Sequence, residues 1–466
     1  MTAAALLLAV AVLTPADWAS KPLGIRPEAT RVERVGRRSV TWYRHAADPA
    51  WGGDRSRIDR FTVAEPVGGA REGAPLLVVL HWRGGGVPSG GVDLQTKSVD
   101  EKGRVYSAPD DFYVLTLDDM RNYNVWLFRT HDEYWWGATS RYRGPEKDDV
   151  ARLAKGETSC EKRVLDSVEW CVRTLGIDRE RVYLCGNSMG GQATEAIGLA
   201  HGEVFAAICA NVPATVWFAA ARLGFVDVAG EEIGLDAAGA LAFADPPPCV
   251  DWSGVDDPWS RDREIFYRGM ARRRWALMGL WGDYGHCGEE AIARRRNDLV
   301  GRFDWMAIRR DEAYPAFTGA DCDDRLPWPF SVWDPSHFFF GYFTGDIVSA
   351  KTEVAEGAPR AGQVNGFFRW RTHASEADGL AMELWIAAAD EIPTRQFAPP
   401  ESATVDVTVR RVRVRALAEA EEVDWRFGAS GGVIRRGADG ALTVPRLQLT
   451  RAHEILRLSP RKEGGR

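Results

Sequence analysis

Residues 181–199 read RVYLCGNSMGGQATEAIGL, and the fold turns on them. Arg181-Val182-Tyr183-Leu184-Cys185 is an apolar run of strand length, and Gln192 to Leu199 suits a helix. Between them lies Gly186-Asn187-Ser188-Met189-Gly190-Gly191. A serine at the tip of a sharp strand-to-helix turn is held in a strained backbone, so only residues without a bulky side chain fit two positions before and after it. Glycines at 186 and 190 meet that requirement. The turn exposes the Ser188 hydroxyl and sets the Met189 N–H at a helix start, where the dipole favours negative charge. Gly-x-Ser-x-Gly arises by chance in a chain with 47 glycines, so its place between strand and helix carries the weight.

Outward from this turn, short apolar runs alternate with longer amphipathic ones between residues 74 and 306, the pattern of strands and helices around a parallel sheet. The expected strands are Pro75 to Trp82, Phe112 to Leu117, Val182 to Cys185, Phe205 to Ala210 and Trp275 to Trp281. Their nearly continuous hydrophobicity fits strands covered on both faces. In Cys160 to Leu175, Val164, Leu165, Val168, Val172 and Leu175 recur at spacings of three and four, which places them on one helical face. A second glycine-rich feature, His81-Trp82-Arg83-Gly84-Gly85-Gly86, follows the apolar Leu76-Leu77-Val78-Val79-Leu80, and three adjacent glycines let backbone amides approach a ligand closely. The competing reading of that loop is a flexible turn with no chemical role.

At 466 residues the chain exceeds one ordinary core, and two or three domains are expected. An α/β domain over 30–310 precedes an irregular connection over 311–361, rich in Pro, Asp, Gly and aromatics. A β-rich accessory domain over 362–460 follows, with strands at Val364 to Trp370, Met382 to Ile386, Thr404 to Val414 and Leu442 to Leu449. Alternation at Val405, Val407 and Val409, then Val412 and Val414, marks it as antiparallel. The composition, 45% hydrophobic and 27% charged, is that of a water-soluble globular protein. With 59 basic against 66 acidic residues, the overall field repels nucleic acid and anionic membrane, and neither is an expected partner. The runs Arg272 to Arg274 and Arg294 to Arg296 read as solvated helix faces. Residues 1–16, MTAAALLLAVAVLTPA, hold an apolar stretch of signal-peptide length too short to span a bilayer, so a signal peptide within 1–20 and export are expected. Against this, no Lys or Arg precedes the apolar part, which leaves a mis-assigned start or a loosely packed helix as the alternative. Seven cysteines without close pairing indicate neither a zinc site nor a dense disulfide framework.

The phrase Gly-Asn-Ser-Met-Gly-Gly, the helix before Val182-Tyr183-Leu184 and the His-glycine loop after an early strand resemble the α/β-hydrolase superfamily over roughly Thr62 to Ile308. Within it they are similar to the esterases, the polyhydroxybutyrate-depolymerase-like enzymes and the prolyl-oligopeptidase-type serine hydrolases. The resemblance implies an α/β-hydrolase fold with a mostly parallel sheet, Ser188 as nucleophile and an oxyanion hole formed by the Met189 N–H and that of Arg83 or Trp82. It also implies the chain order serine, acid, histidine. That order excludes His45, His81 and His131 as the base; His201 lies too close behind the turn, and His373 and His453 fall in the tail. His286, in Gly282-Asp283-Tyr284-Gly285-His286 after an apolar strand, is the expected base, with His337 as fallback. In Trp252-Ser253-Gly254-Val255-Asp256-Asp257-Pro258-Trp259, which looks like the family's Gly-x-x-Asp turn, the spacing selects Asp257 as acid. Asp256 is the neighbouring alternative and Asp283 a third candidate. The Pro-rich segment Asp245 to Cys249 makes a poor strand ahead of that turn.

Such a triad needs neither metal nor organic cofactor. The expected chemistry is ester cleavage through an acyl-enzyme, on acylated polysaccharide, polyester or aryl ester. Trp126, Phe128, Tyr134, Trp135, Trp136 and Tyr142 supply aromatic rings suited to sugars or aromatic acyl groups, or else a local packing cluster. A prolyl-oligopeptidase-like peptidase is the second reading, weakened because such peptidases usually carry a β-propeller and only about seventy residues precede the first core strand. A non-catalytic carbohydrate-binding protein is the third.

Overall fold

The computed structural model describes residues 20–46, 48, 58–81, 108–118, 157–213, 216–226, 245–255, 257, 260, 263–286, 303–326, 357, 359–373, 379–392, 398–437 and 439–461. The expected signal peptide, the aromatic segment 122–142 and most of the 311–361 connection lie outside these residues.

Three antiparallel strands, β1 (Glu28–Val35), β2 (Arg38–Ala46) and β3 (Ile58–Ala64), open the described chain and had no counterpart in the sequence reading. They lead into β4 (Leu76–Leu80), β5 (Tyr113–Leu117), α1 (Ser159–Leu175), β6 (Val182–Asn187), α2 (Met189–Ala200), β7 (Ala207–Asn211), α3 (Trp217–Arg222), β8 (Cys249–Gly254), α4 (Arg263–Arg273) and β9 (Leu277–Gly282). Then come β10 (Tyr314–Thr318), β11 (Gly362–Val364), β12 (Phe368–Thr372), β13 (Leu380–Ile386), β14 (Ser402–Arg410), α5 (Arg415–Glu419), β15 (Glu422–Phe427), β16 (Ser430–Arg435), β17 (Leu442–Thr450) and β18 (Glu454–Pro460).

The main sheet has ten strands in the order β1-β2-β3-β5-β4-β6-β7-β8-β9-β11. From β5 to β9 every pairing is parallel, while β3 joins β5 and β11 joins β9 antiparallel. This is the α/β-hydrolase fold expected from the turn at Ser188. Side-chain alternation along the strands explains why they are apolar throughout. Leu76, Val78, Leu80, Val182 and Leu184 face a core shared with α1, α2, α3 and α4, through residues such as Val168, Ala193, Ala220 and Phe266. Leu77, Val79, Tyr183, Cys185 and Val250 face the other way, into a core shared with Phe317, Phe368, Leu384, Val407 and Leu449. The antiparallel C-terminal sheets, β10-β14-β17 and β12-β13-β18-β15-β16, thus pack on the second face of the parallel sheet.

Local chemistry sets the element ends. Thr158 caps α1 through a capping box with Glu161, and Gly176 ends it at φ 64°, in the left-handed region that glycine enters freely. The strand before the acid turn is Cys249–Gly254, a strand not among those expected, and it takes Trp252, Ser253 and Gly254 from the expected turn into the sheet. Two strand expectations also need correction. Val364 to Trp370 is divided in two because Asn365 takes φ 58° and its side chain donates to the Leu277 and Phe317 carbonyls at 3.1 and 3.0 Å. Thr404 to Val414 is cut at Arg411, with φ 52°. Within the 311–361 segment β10 is a regular strand, paired antiparallel with β14.

Candidate active site

Ser188 stands between β6 and α2 with φ 58° and ψ −119°, a conformation rarely tolerated outside glycine and kept only where its surroundings enforce it. Those surroundings are backbone. A Cβ on Gly186 would lie 2.2 Å from the Gly190 carbonyl oxygen, and one on Gly190 would lie 1.9 Å from the Leu80 oxygen and 2.8 Å from that of His81. The Ser188 N–H donates to the Asn211 carbonyl at 3.0 Å, and the Asn211 side-chain amide donates to Asn187 Oδ1. Asn187 and Asn211 are register partners on β6 and β7, so this clamp ties the turn to the neighbouring strand. The clamp is not foreseen from the sequence, because its two asparagines are 24 residues apart and meet only through the sheet.

The close contact at Gly190 sets the end of β4 against the turn. His81 is buried there, while Trp82 and Arg83, the expected second oxyanion donors, lie outside the described residues. The Met189 residue opens α2, so its N–H is among those that the helix leaves unpaired at its start.

His286 Nε2 lies 2.6 Å from Ser188 Oγ, and His286 Nδ1 lies 2.8 Å from Asp257 Oδ2. A carboxylate only accepts, so Nδ1–H is the donor to Asp257; the neutral ring then presents a bare Nε2, to which the serine hydroxyl donates. Asp257 is fully buried, and the imidazole side chain is 18% exposed. The Ser260 hydroxyl donates to the same Asp257 oxygen at 3.3 Å, and the Asp257 N–H donates to the Gly254 carbonyl at 3.3 Å. Gly254 allows the acid and histidine loops to meet, since a Cβ there would fall 2.3 Å from the Tyr284 carbonyl oxygen. Val255 and Tyr284 both donate their N–H to the Gly282 carbonyl, at 2.9 and 3.0 Å, which pins both loops to the end of β9.

The other candidates sit elsewhere. Asp283 pairs with Arg360 at 2.7 Å and is half-exposed. His201 lies between Glu161 and Glu203 at 3.1 and 2.8 Å, His45 is bonded to the Ala46 carbonyl at 2.9 Å, and His453 stacks on Trp385. Asp256, His131 and His337 are outside the described residues. Burial pushes the Cys185 and Cys249 thiols well up, so neither offers a competing thiolate. Among the described residues no group of three or more His, Cys, Asp or Glu is placed to hold a metal ion, and no helix is long and apolar enough to cross a membrane.

The prolyl oligopeptidase family model matches residues 144–223, which take in α1, β6, the serine turn, α2, β7 and α3. No curated protein matches the sequence. Among solved structures, an S-formylglutathione hydrolase from Agrobacterium tumefaciens is similar at 14% identity and a TM-score of 0.39, covering 60% of this chain and 98% of its own. An acetyl xylan esterase from Paenibacillus sp. R4 is similar at 14% identity and a TM-score of 0.39, over 63% of this chain and 92% of its own. An acylaminoacyl peptidase from Pyrococcus horikoshii is similar at 14% identity and a TM-score of 0.33, over 60% of this chain and 41% of its own.

Proposed function

We propose that this α/β-hydrolase is a serine hydrolase that cleaves carboxylic esters through an acyl-enzyme on Ser188. One observation carries the reading: a serine hydroxyl on a strained turn, 2.6 Å from an imidazole whose far nitrogen lies 2.8 Å from a buried carboxylate. Ser188 Oγ attacks the ester carbonyl while His286 Nε2 takes its proton, and the electron pair of the carbonyl moves onto oxygen. The Met189 N–H, at the start of α2, receives that oxyanion, with a second donor expected from Trp82 or Arg83. Asp257 holds the ring in the tautomer that accepts at Nε2 and stabilises the imidazolium. On collapse, the leaving alkoxide takes the proton from His286, and water then repeats the sequence to release the acid and restore Ser188.

Ester cleavage is the less demanding use of this arrangement. An alkoxide leaves more readily than an amide nitrogen, which must be protonated before the bond breaks. Acylated polysaccharide, polyester or aryl ester is the proposed substrate class. Peptide cleavage is the second reading, favoured by the match to the prolyl oligopeptidase family model. The proposal includes export, which rests on the apolar residues 1–16. Assaying acetyl, feruloyl and peptidyl substrates side by side, with Ser188→Ala as control, tests the choice. We expect the esters to turn over faster, with all turnover lost in the variant. Preferential peptide cleavage would replace the ester reading with the second one.

A further inference from the structure

Behind the triad lies a set of charges that the reaction above leaves unused. The Arg263 guanidinium, at the start of α4, is fully buried. Its Nη1 donates to Glu195 Oε2 at 3.0 Å; its Nη2 donates to Glu195 Oε1 and lies 2.9 Å from Asp251 Oδ2. The Tyr267 hydroxyl donates to that same Asp251 oxygen at 2.7 Å, and the Ser253 hydroxyl does so at 3.5 Å. Glu195 and Asp251 are as fully buried as Arg263.

Each member comes from an element that presents or adjoins one triad residue. Glu195 lies two helical turns from Ser188 along α2. Asp251 is on β8, the strand that runs into the Asp257 loop, and Arg263 opens the helix after it. Tyr267 presses on β9, which leads to His286: a Cβ on Gly279 would fall 2.0 Å from its ring. One guanidinium therefore joins the serine's helix to the acid's strand and to the helix that follows, and a tyrosine joins both to the histidine's strand.

Stability alone is a poor reason for such a cluster, because well-packed apolar residues of similar volume often serve as well or better than buried ion pairs. What directional bonds add is fixed geometry. Two carboxyls face one guanidinium, all three fully buried, so the cluster holds more carboxyl than cation. Burial, reinforced by the Asp251 charge, pushes the Glu195 carboxyl well up despite Arg263. Burial works against the Arg263 charge, yet Asp251 and Glu195 hold it above its ordinary range. Among the described residues, the ionisable groups facing Glu195 are Arg263 and Tyr267 from α4 and Asp251 and Cys249 from β8, while β9 contributes the Trp281 ring, 6.4 Å from that of Tyr267.

We propose that Glu195, Arg263, Asp251 and Tyr267 form the positioning group of the triad, fixing the spacing of α2, β8, α4 and β9 so that His286 stays within bonding reach of Ser188. This rests on the serine-hydrolase reading. None of the four touches the reacting atoms, so they are positioning residues. The sign of the pH effect follows from Glu195: its folded-state pKa is raised, so its contribution is complete below the ordinary glutamate range and is lost as pH rises through the raised value. Loss of the proton leaves two carboxylates against one cation, and the spacing loosens.

The test measures kcat and KM for p-nitrophenyl acetate against pH in the wild type, Arg263→Met and Glu195→Gln, with thermal melting and fluorophosphonate labelling of Ser188 alongside. Arg263→Met should lose about a hundredfold in kcat with KM little changed, the scale expected of ångström-level misplacement. Glu195→Gln keeps the shape and dispenses with the titrating proton. It should retain more kcat than Arg263→Met, and its alkaline fall in kcat should move up by about one pH unit. A role in stability alone would lower the melting temperature and leave that limb in place. The proposal is overturned if folded Glu195→Gln keeps the wild-type limb, or if folded Arg263→Met keeps the wild-type kcat; should Arg263→Met not fold, the Glu195→Gln profile decides. Wild-type protein that fails to label at Ser188 refutes the hydrolase reading and this proposal with it, whereas a labelled wild type with an unmoved limb refutes the positioning role alone.

Discussion

The serine turn and the antiparallel tail meet their constraints in different ways. At the turn, single atoms decide: Ser188 sits at φ 58°, and a Cβ on Gly190 would lie 1.9 Å from the Leu80 carbonyl oxygen. In the tail the determinants are spread over many positions. Val405, Val407, Leu447 and Leu449 are buried against the parallel sheet through ordinary alternation. One residue there is an exception. Arg411, buried after β14, sends its guanidinium to the Phe205, Ala206, Arg309 and Gly202 carbonyls at 2.8, 3.1, 3.4 and 3.5 Å, and its own N–H donates to Asp245 at 2.9 Å. Arg411 thus fastens the tail to the parallel sheet alongside the shared core, the β11–β9 pairing and ion pairs such as Arg410–Asp245. Function should break sharply at the turn, and stability gradually in the tail.

The sharpest contrast is expected from Ser188→Ala, which should lower kcat on the order of 10⁶-fold while thermal melting stays near that of the wild type. Gly190→Ala should come next. Its new Cβ meets the Leu80 backbone, so the turn must shift, and steady-state assays should show a loss of at least about a hundredfold in kcat. Wild-type kcat in that variant would mean that the turn is not so tightly held. In the tail, Arg411→Met leaves backbone carbonyls without their charged donor. It should cost about 3 kcal/mol in denaturant unfolding, with kcat of the folded protein unchanged. A fall in kcat at full folding would show that the tail acts on the site and not only on the core.

The smallest effect concerns His201, the residue that ends α2. Burial disfavours its cation, yet hydrogen bonds to Glu161 and Glu203 outweigh this and raise its pKa to about 9. Protonation in the folded state therefore stabilises the protein fully below the ordinary histidine range, and that contribution is lost as pH rises through about 9. Denaturant melts at pH values on either side of this range should show the decline in the wild type and a flatter profile in His201→Gln.

The same contrast explains what was legible in the sequence. The parallel strands and the serine turn were readable because both faces of each strand are buried, which leaves continuous apolar runs, and because the turn demands glycines at fixed positions. Ser188, Asp257 and His286 were named from local phrases, and the structure brings these three side chains together. Strands β1 to β3 carry no long apolar run at their start: β1, EATRVERV, is almost wholly exposed, and β2 alternates buried with partly exposed positions. Strand β8 is hard to read because the prolines 246–248 stand directly before it and Asp251 and Ser253 interrupt its apolar run. Nothing in local sequence signals the Asn187–Asn211 clamp or the Glu195–Arg263–Asp251 cluster, whose members are 24 and up to 68 residues apart and meet only through the sheet.

Ser188 is nucleophilic only through its imidazole, and covalent capture reads that property directly. A fluorophosphonate probe should attach to Ser188 alone, as located by mass spectrometry of the labelled peptide, and His286→Ala should slow the reaction by several orders of magnitude. Attachment at another residue, or labelling at an undiminished rate without the His286 ring, would contradict it.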